Sequence, residues 1–200
     1  MRENICGSMQ RAFKVAAFAA LCGLATACAS DNLAVTTVSQ ANSEIAAGYQ
    51  IDAGDKLKIT VFDEDTLTGE YTVGTGGAIS LPLLEPIPVK NMSAREVAQL
   101  IEGKLAAGGY VLYPRVSVDI LEYRPFFILG EVATPGEYPH GGDLTLEQAV
   151  AKAGGYTPRA QKNAVVLKRQ DWPESRLIKL GEAPLKIAPG DTIIIRESFF

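Results

Sequence analysis

The sequence predicts an α+β protein built as two small sheet-plus-helix units behind a leader and a tether. Three observations carry this prediction. Short runs alternate apolar and polar residues, as half-buried strands do. Two segments of helical period open on capping boxes at Ser93 and Thr145. Each of these ends in Gly-Gly, at Gly108-Gly109 and Gly154-Gly155.

The chain opens with Arg2, Arg11 and Lys14, then an uncharged run from Val15 to Ala27. That run is too short for a bilayer-spanning helix, which needs about 20 apolar residues, and has the length of an export-signal core. Residues 1–27 are therefore expected to be cleaved, leaving Cys28 first. Leu24, Ala25, Thr26, Ala27 and Cys28 resemble a bacterial lipobox, with the leucine one place further from the cysteine than usual. The alternative is an ordinary signal peptide with an incidental cysteine. An acylated Cys28 would attach the body to a membrane, two or more chains making the attachment stable. Ala29, in the lipoprotein sorting rule this resembles, favours the outer membrane.

Residues 28–47, rich in Ser, Thr, Asn and Ala, read as a flexible tether. From Tyr49 the texture changes. Ile51, Leu57, Ile59 and Val61 alternate around a Gly54-Asp55 turn. Tyr71–Val73 and Ala78–Leu84 read as strands about a Gly74–Gly77 turn, and Pro82, Pro86 and Pro88 then stop regular pairing. Ser93–Ala106 is the clearest helix, with Val97, Leu100, Ile101 and Leu105 on one face. Arg115–Leu121 alternates, and Phe126–Leu129 is a continuous apolar run suited to a buried strand. Tyr123-Arg124-Pro125 between them reads as a domain junction, dividing residues 48–124 from 125–200, with few contacts expected beyond a short linker. The second unit holds a turn at Pro135-Gly136, a strand near Tyr138, a helix over Thr145–Ala153, strands at Val165–Lys168 and Arg176–Leu180, and a last strand, Thr192–Arg196.

Composition narrows the function. The whole chain carries a net charge of −4, and the leader is itself basic, so no basic nucleic-acid footprint is expected. Cys6 and Cys22 lie in the leader, so the folded part has no cysteine for a disulfide or a thiolate metal site. His140 is the single histidine and reads as a loop residue beside Gly141-Gly142. No catalytic residue, metal or cofactor is assigned, since a Ser-His-Asp, Cys-His or multi-histidine set has little to build on. Asp63-Glu64-Asp65 has the spacing of an acidic metal triplet, but with no nucleotide-binding domain around it a solvated loop is the better reading. Gly74, Gly76 and Gly77 lack the helix a phosphate cradle needs. Ser93 in Asn91-Met92-Ser93 is explained by its helix cap. Tyr110, Tyr113, Tyr123, Tyr156 and Trp172 suit either sugar stacking or packing, and Phe199-Phe200 either a cap or a docking contact.

Tyr49-Gln50-Ile51-Asp52-Ala53-Gly54-Asp55-Lys56-Leu57-Lys58-Ile59-Thr60-Val61 closely resembles the opening motif of the Wza-type bacterial polysaccharide export family. Gly77–Leu83 is similar to that family's next strand, and Ser93, Glu96 and Ala98 fall on its following helix. Gly130-Glu131-Val132, Pro135–Tyr138, Thr145-Leu146, Ala153–Gly155 and Pro189–Thr192 resemble its soluble-ligand-binding β-grasp domain. The resemblance implies a non-enzymatic lipoprotein on the periplasmic face of the outer membrane. Its copies would form a homo-oligomeric ring exporting exopolysaccharide or capsular polysaccharide, with an inner-membrane polysaccharide co-polymerase as partner. Larger members carry a C-terminal membrane-crossing helix; the four residues after Arg196 hold none, which implies an outer-membrane barrel partner or an incomplete ring. The competing expectation is a tethered periplasmic sugar-binding or sensing module. A hydrolase would need paired carboxylates in a cleft, and small units of this kind make that a poor fit.

Overall fold

One long strand, Val116–Gly130, organises the molecule, because its alternating apolar residues feed two cores in succession. The computed structural model describes residues 33–45 and 48–198. In chain order these form β1 (Ala34–Thr37), α1 (Val38–Ile45), β2 (Lys56–Val61), β3 (Gly69–Thr72), β4 (Ala78–Ile79), β5 (Ile87–Pro88), α2 (Ala94–Ala107) and β6 (Val116–Gly130). There follow β7 (Gly136–His140), β8 (Leu144–Thr145), α3 (Leu146–Lys152), β9 (Ala164–Lys168), β10 (Arg176–Lys179), β11 (Lys186–Ile187) and β12 (Thr192–Ile195). The fold is α+β, with an eight-stranded mixed sheet ordered β1-β10-β9-β12-β6-β2-β3 and β7 also paired to β6.

The first lobe surrounds Ile51, Leu57, Ile59, Val97, Ile101 and Leu105, all without solvent exposure. Its helix α2 starts as the sequence predicts: Ser93 accepts the Glu96 N–H and Glu96 accepts the Ser93 N–H, a complete capping box. Every third or fourth residue of α2 then faces β2 and β6, which is why Val97, Ile101 and Leu105 are buried together. The second, β-grasp-like lobe packs α3 and the inner face of β6, β9, β10 and β12 around Phe126, Ile128, Leu146, Leu167 and Ile193. Thr145 and Gln148 complete the second capping box.

Three expectations are corrected. The tether is ordered over Ala34–Ile45: β1 pairs in parallel with β10, from Ala34 opposite Arg176 to Thr37 opposite Lys179, and α1 buries Val38 and Ala41 in the second core. Too few apolar residues to fold alone proved enough to fold onto an existing sheet edge. The junction at Tyr123-Arg124-Pro125 lies inside β6, so the lobes share a strand where a linker was expected. Register shifts fall just before this stretch, between Ile120 and Glu122, and within it, between Tyr123 and Phe126, as in a bulged strand that bends. Pro125 is tolerated because β12 begins to pair only at Phe127. Finally, Phe126–Leu129 is buried on alternate residues only; Phe127 and Leu129 stand on the sheet's other face, 38% and 43% exposed.

Gly130, at the end of β6, has φ of +86°, and a Cβ there would meet the Ile195 carbonyl at 2.0 Å. Backbone against backbone leaves nothing to yield. Gly130→Ala is expected to cost at least about 2 kcal/mol, since a left-handed non-glycine and a backbone clash combine, and urea unfolding of purified variant and wild type will show it.

Candidate functional site

Polar side chains gather where the lobes meet. The Gly54-Asp55 turn sits at the head of β2, and Asp55 is fully buried. Its Oδ2 accepts the Asp52 N–H at 2.8 Å and the Tyr49 hydroxyl at 2.5 Å, and its Oδ1 accepts the Arg124 backbone N–H at 2.9 Å. The Arg124 guanidinium adds an ion pair at 3.4 Å and donates to the Tyr49 oxygen at 2.9 Å. Burial, then the carboxylate beside it, push the Tyr49 phenol well above its ordinary range, which keeps it a proton donor.

A second turn of the same construction closes on the other side. Gly190-Asp191 heads β12; Asp191 is fully buried and its Oδ2 accepts the Ala188 N–H at 2.8 Å. Arg169 grips both Asp191 oxygens, each at 3.1 Å, in a planar fork. Burial raises the Asp191 carboxyl, and that fork and the turn N–H act against the rise. Ile51-x-x-Gly54-Asp55-x-Leu57-x-Ile59 and Ile187-x-x-Gly190-Asp191-x-Ile193-x-Ile195 have identical spacing. Each motif is visible in the sequence by itself, and their common spacing is the signal that pairs them. Gly190 lies against Arg124, whose Nε a Cβ at that position would approach to 2.7 Å. Gln170 bonds Asp52 across the junction at 2.6 Å, so the lobes are joined by side chains as well as by β6.

Beside this junction opens a cleft of about 500 Å³, lined by Tyr49, Tyr123, Arg124, Arg169, Trp172 and Arg176 among others. Glu44, from the end of α1, reaches into it and accepts the Trp172 indole N–H at 2.5 Å and an Arg176 N–H at 3.2 Å. Trp172 itself is buried, with the Arg176 guanidinium 4.0 Å above its ring.

His140 is corrected from loop to strand: it ends β7 and is buried. Its Nε2 lies 2.8 Å from the Ile187 carbonyl, which can only accept, and its Nδ1 accepts the Gly142 N–H at 3.1 Å. These partners assign the neutral Nε2–H form, and burial lowers its pKa from the ordinary 6.5. Asp63 and Asp65 are exposed in a turn, and among the described residues no three His, Cys, Asp or Glu side chains are placed to hold a metal ion. Tyr113 stands 90% exposed, Tyr110 is exposed, and Tyr123 and Tyr156 are half-buried. Leu24, Ala25, Thr26, Ala27, Cys28 and Phe199-Phe200 lie outside the described residues. No helix among the described residues is long and apolar enough to cross a membrane.

The structure is thus a two-lobed α+β scaffold in which the Asp55–Arg124 pair sits at the junction and the Arg169–Asp191 pair lies within the second lobe. Residues 36–121 match the family described as polysaccharide biosynthesis/export protein, and residues 125–177 match the SLBB domain. The chain thus carries a polysaccharide biosynthesis/export domain followed by an SLBB domain. It is similar to the exopolysaccharide production protein ExoF of Rhizobium meliloti, 32% identical over 177 residues that cover 83% of this chain and 40% of that protein. It is also similar to the EPS I polysaccharide export outer membrane protein EpsA of Ralstonia nicotianae, 30% identical over 60% of this chain and 38% of EpsA. The polysialic acid transport protein KpsD of Escherichia coli is 28% identical over 74% of this chain and 28% of KpsD. The chain thus spans at most 40% of the length of these relatives. The two family matches leave residues 122–124 between them, the stretch that ends in Arg124.

Removing one partner of a buried pair strands the other, so Asp55→Ala should cost about 3 kcal/mol and Tyr49→Phe about 1–2 kcal/mol in urea unfolding. His140 supplies a pH test. With its folded value lowered, the unfolded chain takes up the proton first, so the contribution is complete above pH 6.5 and is lost as the pH falls below it. Urea midpoints measured from about pH 8 to 5 should fall, and His140→Gln, whose amide replaces Nε2–H, should flatten the slope.

Proposed function

We propose that this chain is a lipoprotein of the outer membrane, facing the periplasm, and part of a ring-shaped conduit that exports exopolysaccharide or capsular polysaccharide. Residues 1–27 are removed, Cys28 is acylated, and the export domain (48–124) and β-grasp domain (125–200) act without chemistry on the polymer. The inner-membrane polysaccharide co-polymerase supplies the chain being exported, and a barrel partner or an incomplete ring completes passage at the membrane.

The supporting observation is the outer face of the second lobe's sheet. Strand register lines up Val35, Leu177, Val166, Ile194 and Leu129 in one row across β1, β10, β9, β12 and β6. Val35 is 57% exposed at one end of the row and Leu129 43% at the other, with Phe127 beside it, while Leu177 and Ile194 are half-buried and Val166 is buried. The exposed apolar side chains at the two ends of this row are what association with another copy would cover. Head-to-tail contact, in which this face meets a different face of the next copy, closes into a ring. The second reading, a tethered sugar-binding or sensing module, draws on the cleft, whose size falls in the range of small-molecule pockets.

A deletion strain complemented with wild type or Cys28→Ser tests both. The transport reading expects surface polysaccharide to vanish on deletion while precursors persist, and lipid labelling to be lost in Cys28→Ser. A sensor would leave export working. Leu129→Asp should break the ring into smaller species on size-exclusion chromatography while preserving the circular dichroism of the wild type, because the side chain lies outside both cores.

A further inference from the structure

We infer that Trp172, Arg176 and Arg169 form a carboxylate-recognition site in the interlobe cleft, filled by the chain's own Glu44, and that an acidic sugar takes Glu44's place. The inference deepens the export reading, on which it rests for the source of the sugar. One Glu44 oxygen accepts the Trp172 indole N–H at 2.5 Å and lies 3.5 Å from Arg169 Nη1; the other accepts from Arg176 Nη1 at 3.2 Å. Three donors from the segment 169–176 thus converge on one carboxylate that arrives from 125 or more positions earlier in the chain. The donors are held in place without Glu44: Arg169 is forked onto Asp191 and bonded to the Ala41 carbonyl at 2.8 Å, and Arg176 stacks on the Trp172 ring. Arg169 has a second counter-charge in Asp191, whereas among the described residues Arg176 is ion-paired with Glu44 alone.

The occupant is exchangeable. Side-chain exposures of 40% for Glu44 and 29% for Arg176 leave water at the pair. Ion pairs so placed are weak. Tethering gives Glu44 an effective concentration in the millimolar range, which a polymer bearing carboxylates on successive repeats can match. The adjoining space of about 500 Å³ admits sugar rings beside the Tyr49 and Tyr123 phenols.

Trp172 is the one tryptophan in the chain, and its N–H is the group that changes partner, so its emission reads the site directly. The probe is sodium glucuronate, titrated into full-length mature protein to roughly 50 mM, above the tethered competitor. Glu44→Ala should show a saturable change in emission with a dissociation constant at least about fivefold below that of wild type. Glucose, and sodium chloride at equal concentration, should produce no such change. Glu44→Gln, which keeps the contact to the indole but drops the charge, should fall between the two. Glu44→Ala combined with Arg176→Ala should lose the response. Silence of both Glu44 variants, equal binding by wild type, or an equal effect of glucose or salt would overturn the site. That failure is separate from failure of the export reading, which is judged by surface polysaccharide in the deletion strain.

Discussion

Two aspartates without solvent exposure, Asp55 and Asp191, constrain the waist of the molecule. A carboxylate taken out of water costs several kcal/mol unless it is paired and hydrogen-bonded, so neither position is tolerable without its full set of donors. Besides the Tyr49 hydroxyl on Asp55, each receives one N–H from its own tight turn and the rest from an arginine that must already be in place. Those donors come from distant chain segments, so the turns can close only when β2, β6, β9 and β12 are assembled. The cost of burying the charge is thereby converted into a requirement for one arrangement of the strands.

The geometry of the two lobes follows from where these turns sit on β6. Gly54 and Gly190 both approach Arg124, and the strands that leave the two turns run in opposite directions along β6. β2 is antiparallel to β6 and pairs with residues 116–122; β12 is parallel and pairs with residues 127–130. Each lobe therefore obtains its central strand pair from the same point. The cleft lies beside that point because Tyr49 precedes one turn and Ile187-Ala188-Pro189 forms part of the other.

Local patterns in the sequence were strong predictors wherever the local pattern decided the structure. Both capping boxes, the alternation in β2 and the glycine-led turns were all legible, since each is set by neighbours within four residues. What escaped was decided across the chain. Ala34–Ile45 has too few apolar residues to announce a strand and helix, and acquires both only by adding to β10 and burying Val38 and Ala41. Phe126–Leu129 looked wholly buried because an apolar run does not reveal that helices cover one face of a sheet and leave the other open. His140 looked like a loop residue because Gly141-Gly142 follows it; the Ile187 carbonyl that holds it lies 47 positions away. The cleft was illegible for the same reason: Glu44, Arg124 and Trp172 share no motif.

The ordered edge strand β1 also fixes a distance. Ala34 follows Cys28 by only six positions, and an extended chain advances at most about 3.5 Å per residue. With Cys28 acylated as proposed, β1 therefore stays within about 20 Å of the lipid surface. Under that reading so short a leash would hold the β-grasp lobe next to the bilayer. Lengthening the spacer, residue by residue, would then act as a ruler for that separation.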